Sequence, residues 1–395
     1  MLQLALTLKR AMVNALIRTF RYPLRPTAAQ EATLDAWRRQ CCDLYNAALQ
    51  ERRDAWKKQR VSIGYNAQTK SLTEWRAMDP DGAAVPAWVQ RSALRRVDLA
   101  FKAFFRRVKV GQTPGFPRFK SKKRYDSFSV PAHLAPIRAG RVQLQRGLAV
   151  KFHQYRPLRG KVLVATVSRD ATGKWWVCFA CHIGAAPEKV APVSIVGIDV
   201  GLKSLAVTSD GEVVENPRHT AKAAAKLARA QRVAARRKRG SESRKRAVAL
   251  VARHHARVRN QRLDHARKVA AALVSRYDVI AREDLNIAGL GRSALSGHIQ
   301  NAGWGILLHA IACKAEEAGK HVVAVDPRHT SQTCSGCGVL VPKDLSVRVH
   351  DCPHCGLRMD RDHNAARNVM ARGRRAVPWP EAFDPVQARS GLEAA

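Results

Sequence analysis

Long apolar runs are missing from this chain. No stretch of 18 apolar residues occurs among its 395, which excludes a transmembrane helix. Acids are scarce: 31 stand against 70 Lys and Arg, for a formal net charge of +39. Self-repulsion of that size weakens a compact chain unless a polyanion neutralises it, and nucleic acid is the fitting partner. The cations run along the whole length rather than gathering on one amphipathic stretch, so a membrane surface fits less well. The opening MLQLALTLKRAMVNALI has no charged segment ahead of its apolar part and is broken by Lys9 and Arg10. It does not read as a secretory signal, and Met12 is an alternative start. No internal repeat is present. At 46% hydrophobic residues and 395 residues in length the chain reads as globular, with two or three domains.

What is present is sharpest near the C-terminus. Cys334, Cys337, Cys352 and Cys355 form two CxxC pairs with fourteen residues between them. With small turn residues in CSGCG and CPHCG, they supply four thiolates for one tetrahedral Zn²⁺. Such a module has almost no core, so metal binding becomes its folding free energy, about 10–16 kcal/mol in isolated peptides. Four sulfurs fill the site, so His350 and His354 are expected to be exposed bystanders. Cys41, Cys42, Cys178, Cys181 and Cys313 read as ordinary buried thiols in a reducing compartment. Cys178 and Cys181 fall on the strand-like run WWVCFACHI, face opposite sides and cannot chelate together.

The element pattern divides the chain. Residues 18–26 read as a strand, and Thr27 with Gln30 forms a capping box. Leu34, Trp37, Cys41, Leu44, Tyr45 and Ala48 then recur at helical spacing. A second amphipathic helix covers 85–108, with Leu94, Val97, Phe101, Phe104 and Phe105 on its apolar side. After the Gly/Pro-broken loop GQTPGFPRFKSKKRYDSFSV, short alternating runs to Ile183 predict a small antiparallel barrel or sheet. The strand before the helical module belongs to the same barrel, and 185–192 is a linker. SIVGIDVGLKSLAVTSDGEVVE predicts three consecutive strands, YDVIARE and HVVAVD two more, and GWGILLHAIACKAEEAG a helix between those two. A final helix is expected from Asn364, with 375–395 a flexible tail.

Three strands in antiparallel order, then helices alternating with two more strands, match an RNase H-like layout. Asp199 closes SIVGID, Glu283 closes YDVIARE and Asp362 begins the last helix, so each falls where the sheet would gather it. Three carboxylates can hold two divalent ions about 3.5–4 Å apart, and an all-oxygen donor set without His or Cys suits Mg²⁺. The plainer reading of Asp362 is a helix cap, and Asp284, Asp326 and Asp360 are neighbours that could substitute. Of these Asp326, at the end of a strand, is the strongest extra ligand, and Asp360 should point elsewhere.

Residues 218–276 carry 19 Lys and Arg against two acids, one or two long helices too basic for a merely solvated face. They predict a phosphate-contact surface that includes Arg236, Arg237, Lys238 and Arg239. A second candidate is GFPRFKSKKRY, where Phe116, Phe119 and Tyr125 lie among Arg118, Lys120, Lys122, Lys123 and Arg124. It offers stacking faces beside charge, although the two Phe residues suit a core equally well.

From about Arg18 to Ala371 the chain resembles the TnpB family, RNA-guided nucleases encoded by insertion sequences. The resemblance is carried by GIDVGLKSLAVTSDG, REDLNIAGL, RHTSQTCSGCG and CPHCGLRMDRDHNAARNV, with weaker matches in RPTAAQ, YNAAL and GFPRFKSK. It implies a RuvC nuclease site with Asp199, Glu283 and Asp362 as its acids, none of them replaced. It implies an α/β RNase H-like (RuvC) core over 187–331 and 359–374 with a zinc-ribbon, target-nucleic-acid-binding insert over 332–358. A wedge β-barrel (18–26 and 127–186), a helical recognition module inserted in it (27–126) and an N-terminal extension (1–17) complete the layout. It further implies a guide RNA from the transposon end, double-stranded target DNA beside a short transposon-adjacent motif, and a monomer or dimer on one RNA. An RNA-guided repressor without cleavage is disfavoured by the intact acids, and a compact type V CRISPR effector differs mainly in genomic neighbourhood. A single-strand transposase needs a His-hydrophobic-His pair, whereas His254 and His255 are adjacent.

Overall fold

The computed structural model describes residues 15–290, 296–344 and 346–380. The chain divides into two compact units, 1–185 and 186–395. No helix among the described residues is long and apolar enough to cross a membrane.

In the first unit, β1 (Ala15–Arg25) is followed by a helical insertion: α1 (Ala28–Gln59), α2 (Tyr65–Met78), α3 (Pro80–Ala83) and α4 (Ala87–Lys109). Six strands then follow: β2 (Ser127–Pro131), β3 (Ile137–Arg138), β4 (Arg141–Gln145), β5 (Leu148–Phe152), β6 (Lys161–Arg169) and β7 (Trp175–Ala185). All pair antiparallel in the order β2-β6-β7-β1-β5-β4-β3. β1 is therefore central, although it comes first in the chain. Its inward residues Phe20, Tyr22 and Leu24 alternate as a half-buried strand requires.

The capping box forms as the sequence reads. Thr27 Oγ1 accepts from the Gln30 amide at 3.3 Å, and Gln30 Oε1 accepts from the Thr27 amide at 3.1 Å. On α1, Leu34, Trp37, Cys41, Tyr45 and Ala48 are buried. Trp37 packs edge-on against Phe128, with ring centroids 5.7 Å apart, which ties the helices to the sheet. Two expectations fail here. α4 does not bury Phe105, which is exposed, and Tyr125 is fully buried rather than offered for stacking. Helix α2 packs Tyr65, Leu72 and Trp75 against the core and buries Gln68 on the same face, where Gln68 is satisfied by Arg52, the Ala48 carbonyl and Glu51.

The second unit is built on β8 (Ile195–Asp199), β9 (Ser204–Thr208) and β10 (Val213–Glu215). Two long helices follow, α5 (His219–Arg236) and α6 (Glu242–Arg276), then β11 (Val279–Glu283) and the short α7 (Ile287–Leu290) and α8 (Ser296–Ala302). α9 (Trp304–Glu317) and β12 (His321–Val325) precede the hairpin of β13 (Val349–Asp351) and β14 (Arg358–Asp360), and α10 (Arg361–Arg374) closes the unit. The sheet order is β10-β9-β8-β11-β12, with β11 parallel to both β8 and β12 and β9 antiparallel to β8. This is the RNase H-like layout. One face packs on α6 and α9, where Val196, Ile198 and Ile280 meet Ala270, Leu273, Leu307 and Ile311. The other face is covered by α10, and glycine lets it approach. A Cβ on Gly197 would lie 2.1 Å from the Ala366 carbonyl oxygen, and one on Gly373 would lie 2.3 Å from the Ala281 Cβ. Helix α10 starts at Arg361, three residues before the expected Asn364. The segment expected as a tail is packed at its start: Val377 is buried, and the Trp379 indole donates to the Arg374 carbonyl at 2.8 Å. The rest of that segment and most of the N-terminal extension lie outside the described residues.

Candidate nuclease centre and zinc-binding knuckles

The acids converge by strand register. On β8, Gly197 faces α10, so Asp199 two residues on shares that face; on β11, Ala281 and Glu283 do the same. The two strands pair in parallel with Ala281 opposite Gly197 and Arg282 opposite Ile198. Glu283 therefore sits beside Asp199 at the strand ends, one strand spacing of about 4.8 Å away. Asp362 lies in the first turn of the helix that covers this face. Its Oδ2 would be 3.8 Å from a Cβ on Gly201, two residues after Asp199.

The rival reading of Asp362 as a helix cap is excluded by its neighbour. Asp360 is the N-cap, and its Oδ1 accepts from the amides of Asp362 at 2.8 Å and His363 at 3.2 Å. That leaves the Asp362 carboxylate free of capping and next to the positive end of the helix dipole. Asp326 is turned to other work: exposed, it accepts from the Arg328 amide at 3.0 Å in a local turn.

Burial raises the pKa of all three carboxyls. Asp199 is raised furthest, because the negative charges of Glu283 and Asp362 add to its desolvation. Asp360 adds to the rise at Asp362. A hydrogen bond from Thr330 and the charge of Arg372 partly offset the rise at Glu283. Mutual repulsion in a partly dry pocket is the field that a divalent cation relieves, and the donors are all oxygen.

Thr330 escaped the sequence reading. Its hydroxyl donates to Glu283 Oε1 at 2.6 Å, and its backbone is held from α10, where Asn368 Nδ2 donates to the Thr330 carbonyl at 2.8 Å. Asn368 also donates to the Thr333 carbonyl at 2.6 Å. Asn364 donates to the same carbonyl at 2.8 Å and accepts from the Ser335 amide at 2.9 Å. Two asparagines one helical turn apart thus tie the helix bearing Asp362 to the first cysteine knuckle and to the residue that holds Glu283. The only signal in the sequence was NAARN, an Asn pair at i and i+4.

The four cysteines are gathered more tightly. The Sγ atoms of Cys334, Cys337, Cys352 and Cys355 lie within 4.8 Å of one another, with Cys334 to Cys355 and Cys337 to Cys352 both at 3.6 Å. Zn–S bonds of about 2.3 Å in a tetrahedron put sulfurs about 3.8 Å apart, so the residues fit one zinc ion. Disulfides would need about 2.05 Å. Backbone amides of Cys355 and His354 point at the Cys352 sulfur, and its thiol is pulled down to about 6. Among the described residues this is the one group of three or more His, Cys, Asp or Glu gathered so closely. His354 is exposed as expected, but His350 is fully buried. Its Nδ1 contacts the Lys343 side chain, and burial together with that charge lowers the imidazole's pKa. Cys313 is exposed beside His309 rather than buried.

Arg236, Arg237, Lys238 and Arg239 are all exposed, at the end of α5 and in the turn after it. Arg118, Lys122, Lys123 and Arg124 are exposed as well, with Lys122 paired to Asp43 at 3.1 Å. Lys120 is half-buried, its ammonium 5.1 Å from the Tyr45 ring centroid.

Comparison with known proteins gives the chain its relatives. A protein of Streptomyces pristinaespiralis named "Putative RNA-guided DNA endonuclease" is 32% identical over 386 residues, covering 95% of this chain and 94% of its own. The chain belongs to the TnpB family. Another relative, "Putative RNA-guided DNA endonuclease InsQ" of Escherichia coli K12, is 28% identical and covers 90% of this chain and 92% of its own. Family profiles match three segments: "Probable transposase" over 173–294, "Cas12f1-like, TNB domain" over 304–369 and "Helix-turn-helix domain" over 12–60. The last description does not fit the local structure, because the described part of 12–60 is one strand and one continuous 32-residue helix. Among solved structures, the Cas12f1–sgRNA–target DNA complex contains a chain that matches with a TM-score of 0.55 at 13% identity, covering 90% of this chain and 99% of that one, a likeness of fold.

Proposed function

We propose that this chain is an RNA-guided DNA endonuclease of an insertion sequence, cutting guide-complementary DNA beside a short transposon-adjacent motif. The observation that carries the reading is the shared level and face of Asp199 and Glu283, roofed by the helix that bears Asp362. These three would hold the divalent ions, Mg²⁺ in the cell, and the four cysteines would hold one Zn²⁺. Two such ions supply an activated water and stabilisation of the leaving 3′ oxygen. Thr330 orients Glu283, and Asp360 keeps Asp362 free by capping α10 in its place.

Sequence recognition belongs to base pairing with a guide RNA, while the protein reads backbone shape and the adjacent motif. The exposed cations of α5, α6 and the 118–124 loop are the phosphate-binding groups. The first unit would serve as a wedge barrel with its inserted recognition module, because the 3₁₀ turn at Ala132–Leu134 touches both β4 and β6 and curls the sheet. The knuckles would lie against the bound strand, next to the acids they help position. The protein would act in the cytoplasm, at the nucleoid, as a monomer or dimer on one RNA.

The test is to purify the protein with its co-expressed flanking transcript, sequence the bound RNA and challenge a matching plasmid in Mg²⁺. A defined transposon-end RNA and a linearised plasmid support the reading. An uncut plasmid, with the Asp362→Ala protein behaving identically, defeats it.

A further inference from the structure

The helical insertion of the first unit carries an open pocket of about 410 Å³ that no part of the proposed chemistry uses. Its walls are Trp56, Val61, Ile63, Phe101, Phe105 and Phe116. Trp56, Phe105 and Phe116 are 54%, 61% and 48% exposed, large apolar areas for a surface with nothing over it. The rings are mutually braced: Phe116 stands edge-on to Phe101 at 5.6 Å and to Phe104 at 5.5 Å, and Phe105 stacks on Phe101 at 6.3 Å.

Arg52 also lines the pocket and is only 8% exposed. Its Nε donates to Gln68, its Nη1 lies 3.8 Å from Asp98 Oδ1 and its guanidinium lies over Phe101. Arg52 is thus held in place by Gln68 and Asp98 and braces Phe101 from behind. A group that fills the pocket must be flat enough to stack on its aromatic rings.

Charge selects among such groups. From Leu99 to Tyr125 the chain has nine Lys and Arg and no acid, and from Ala55 to Thr73 it again has no acid. Arg53 and Lys57 line the mouth, and Arg60 lies over Trp56. A second copy of this chain would bring the same positive rim against this one, whereas a polyanion would be drawn in.

We propose that the pocket holds one unstacked nucleobase of a single strand, stacked on Trp56 and Phe105, the strand's phosphates meeting Arg53 and Lys57. This goes beyond the endonuclease reading, which places nucleic acid on basic surfaces without assigning any base a pocket.

The experiment uses the full chain and three labelled 12-nucleotide strands: U12 RNA, dT12 and an abasic strand with the same phosphates. The intact protein should bind at least one base-bearing strand about tenfold more tightly than the abasic one, and the RNA and DNA arms show which sugar is preferred. The Trp56→Ala/Phe105→Ala protein, changed only at exposed positions, should lose that advantage and bind all three alike with an unchanged salt slope. Phe105→Tyr, which keeps a ring, should retain it. Equal affinity of the intact protein for abasic and base-bearing strands overturns the proposal while leaving the basic surface intact. So does a double variant that weakens all strands equally, or an intact dimer that the double variant turns into a monomer, which would make a second copy the occupant. Failure to bind any strand overturns both the pocket and the endonuclease reading.

Discussion

The cysteine cluster draws four ligands from 22 residues of chain, and the acidic pocket draws three from 164. The difference decides what holds each together. The knuckles hang on two three-residue strands and bury Cys334, Cys352 and His350 with almost no apolar core around them, so metal must supply their folding energy. Asp199 and Glu283 sit on a five-stranded sheet with helices on both faces and Asp362 on the helix covering one of them, and the packed core forces the three together against their own repulsion. On the proposed reading one site would be assembled by its ion, while the other is assembled by the fold.

Predictions follow from that contrast, the largest first. Cys352→Ser should take bound zinc from one per chain to none by metal analysis. Hydrogen exchange should then show protection lost through the knuckles while β8 and β11 stay protected. Equal loss in the sheet would mean the two sites are not separable in the way described. Gly197→Ala puts a methyl into the backbone of α10 and should cost about 1–3 kcal/mol or more by denaturant titration, since backbone cannot give way. A neutral result would show that α10 does not lie on β8.

Asp199→Asn should raise thermal stability at neutral pH in buffer without added Mg²⁺. Burial and two carboxylates raise the folded-state pKa of Asp199 above its unfolded value of about 3.9. Between those values the folded state keeps a proton that the unfolded state has released, so stability falls as pH rises through the folded value. The gap between variant and wild type should shrink toward pH 4, and Mn²⁺ should stabilise the wild type but not the variant. The smallest effect is expected of Thr330→Val, which leaves the fold intact and removes one hydrogen bond to Glu283. Target cleavage should slow by about tenfold with zinc content unchanged, the cost of one charge-assisted hydrogen bond.

The same contrast governs what could be read in advance. The cysteines were legible because their spacing is local, the strands of the first sheet because burial alternates along them, and those of the second because they are short apolar runs buried on both faces. Asp199 and Glu283 were legible because each closes an apolar run, which puts it at a strand end. The start of α10 was misplaced because Asp360 and Asp362 are both competent caps, and in the fold it is Asp360 that turns toward the backbone amides. Thr330, Asn364 and Asn368 act through tertiary hydrogen bonds that leave no period in the chain. His350 was misread because four sulfurs leave it no ligand role, yet its place on β13 buries it beside Lys343. Phe105 kept helical spacing with its apolar neighbours and yet faces solvent; periodicity identifies a face and not what covers it.

The most direct test of the account is anomalous diffraction from crystals soaked in Mn²⁺. Two manganese peaks bounded by Asp199, Glu283 and Asp362, absent from the Asp199→Ala protein, are the expected result. Manganese bound elsewhere, with these three carboxylates contacting no ion, would contradict it.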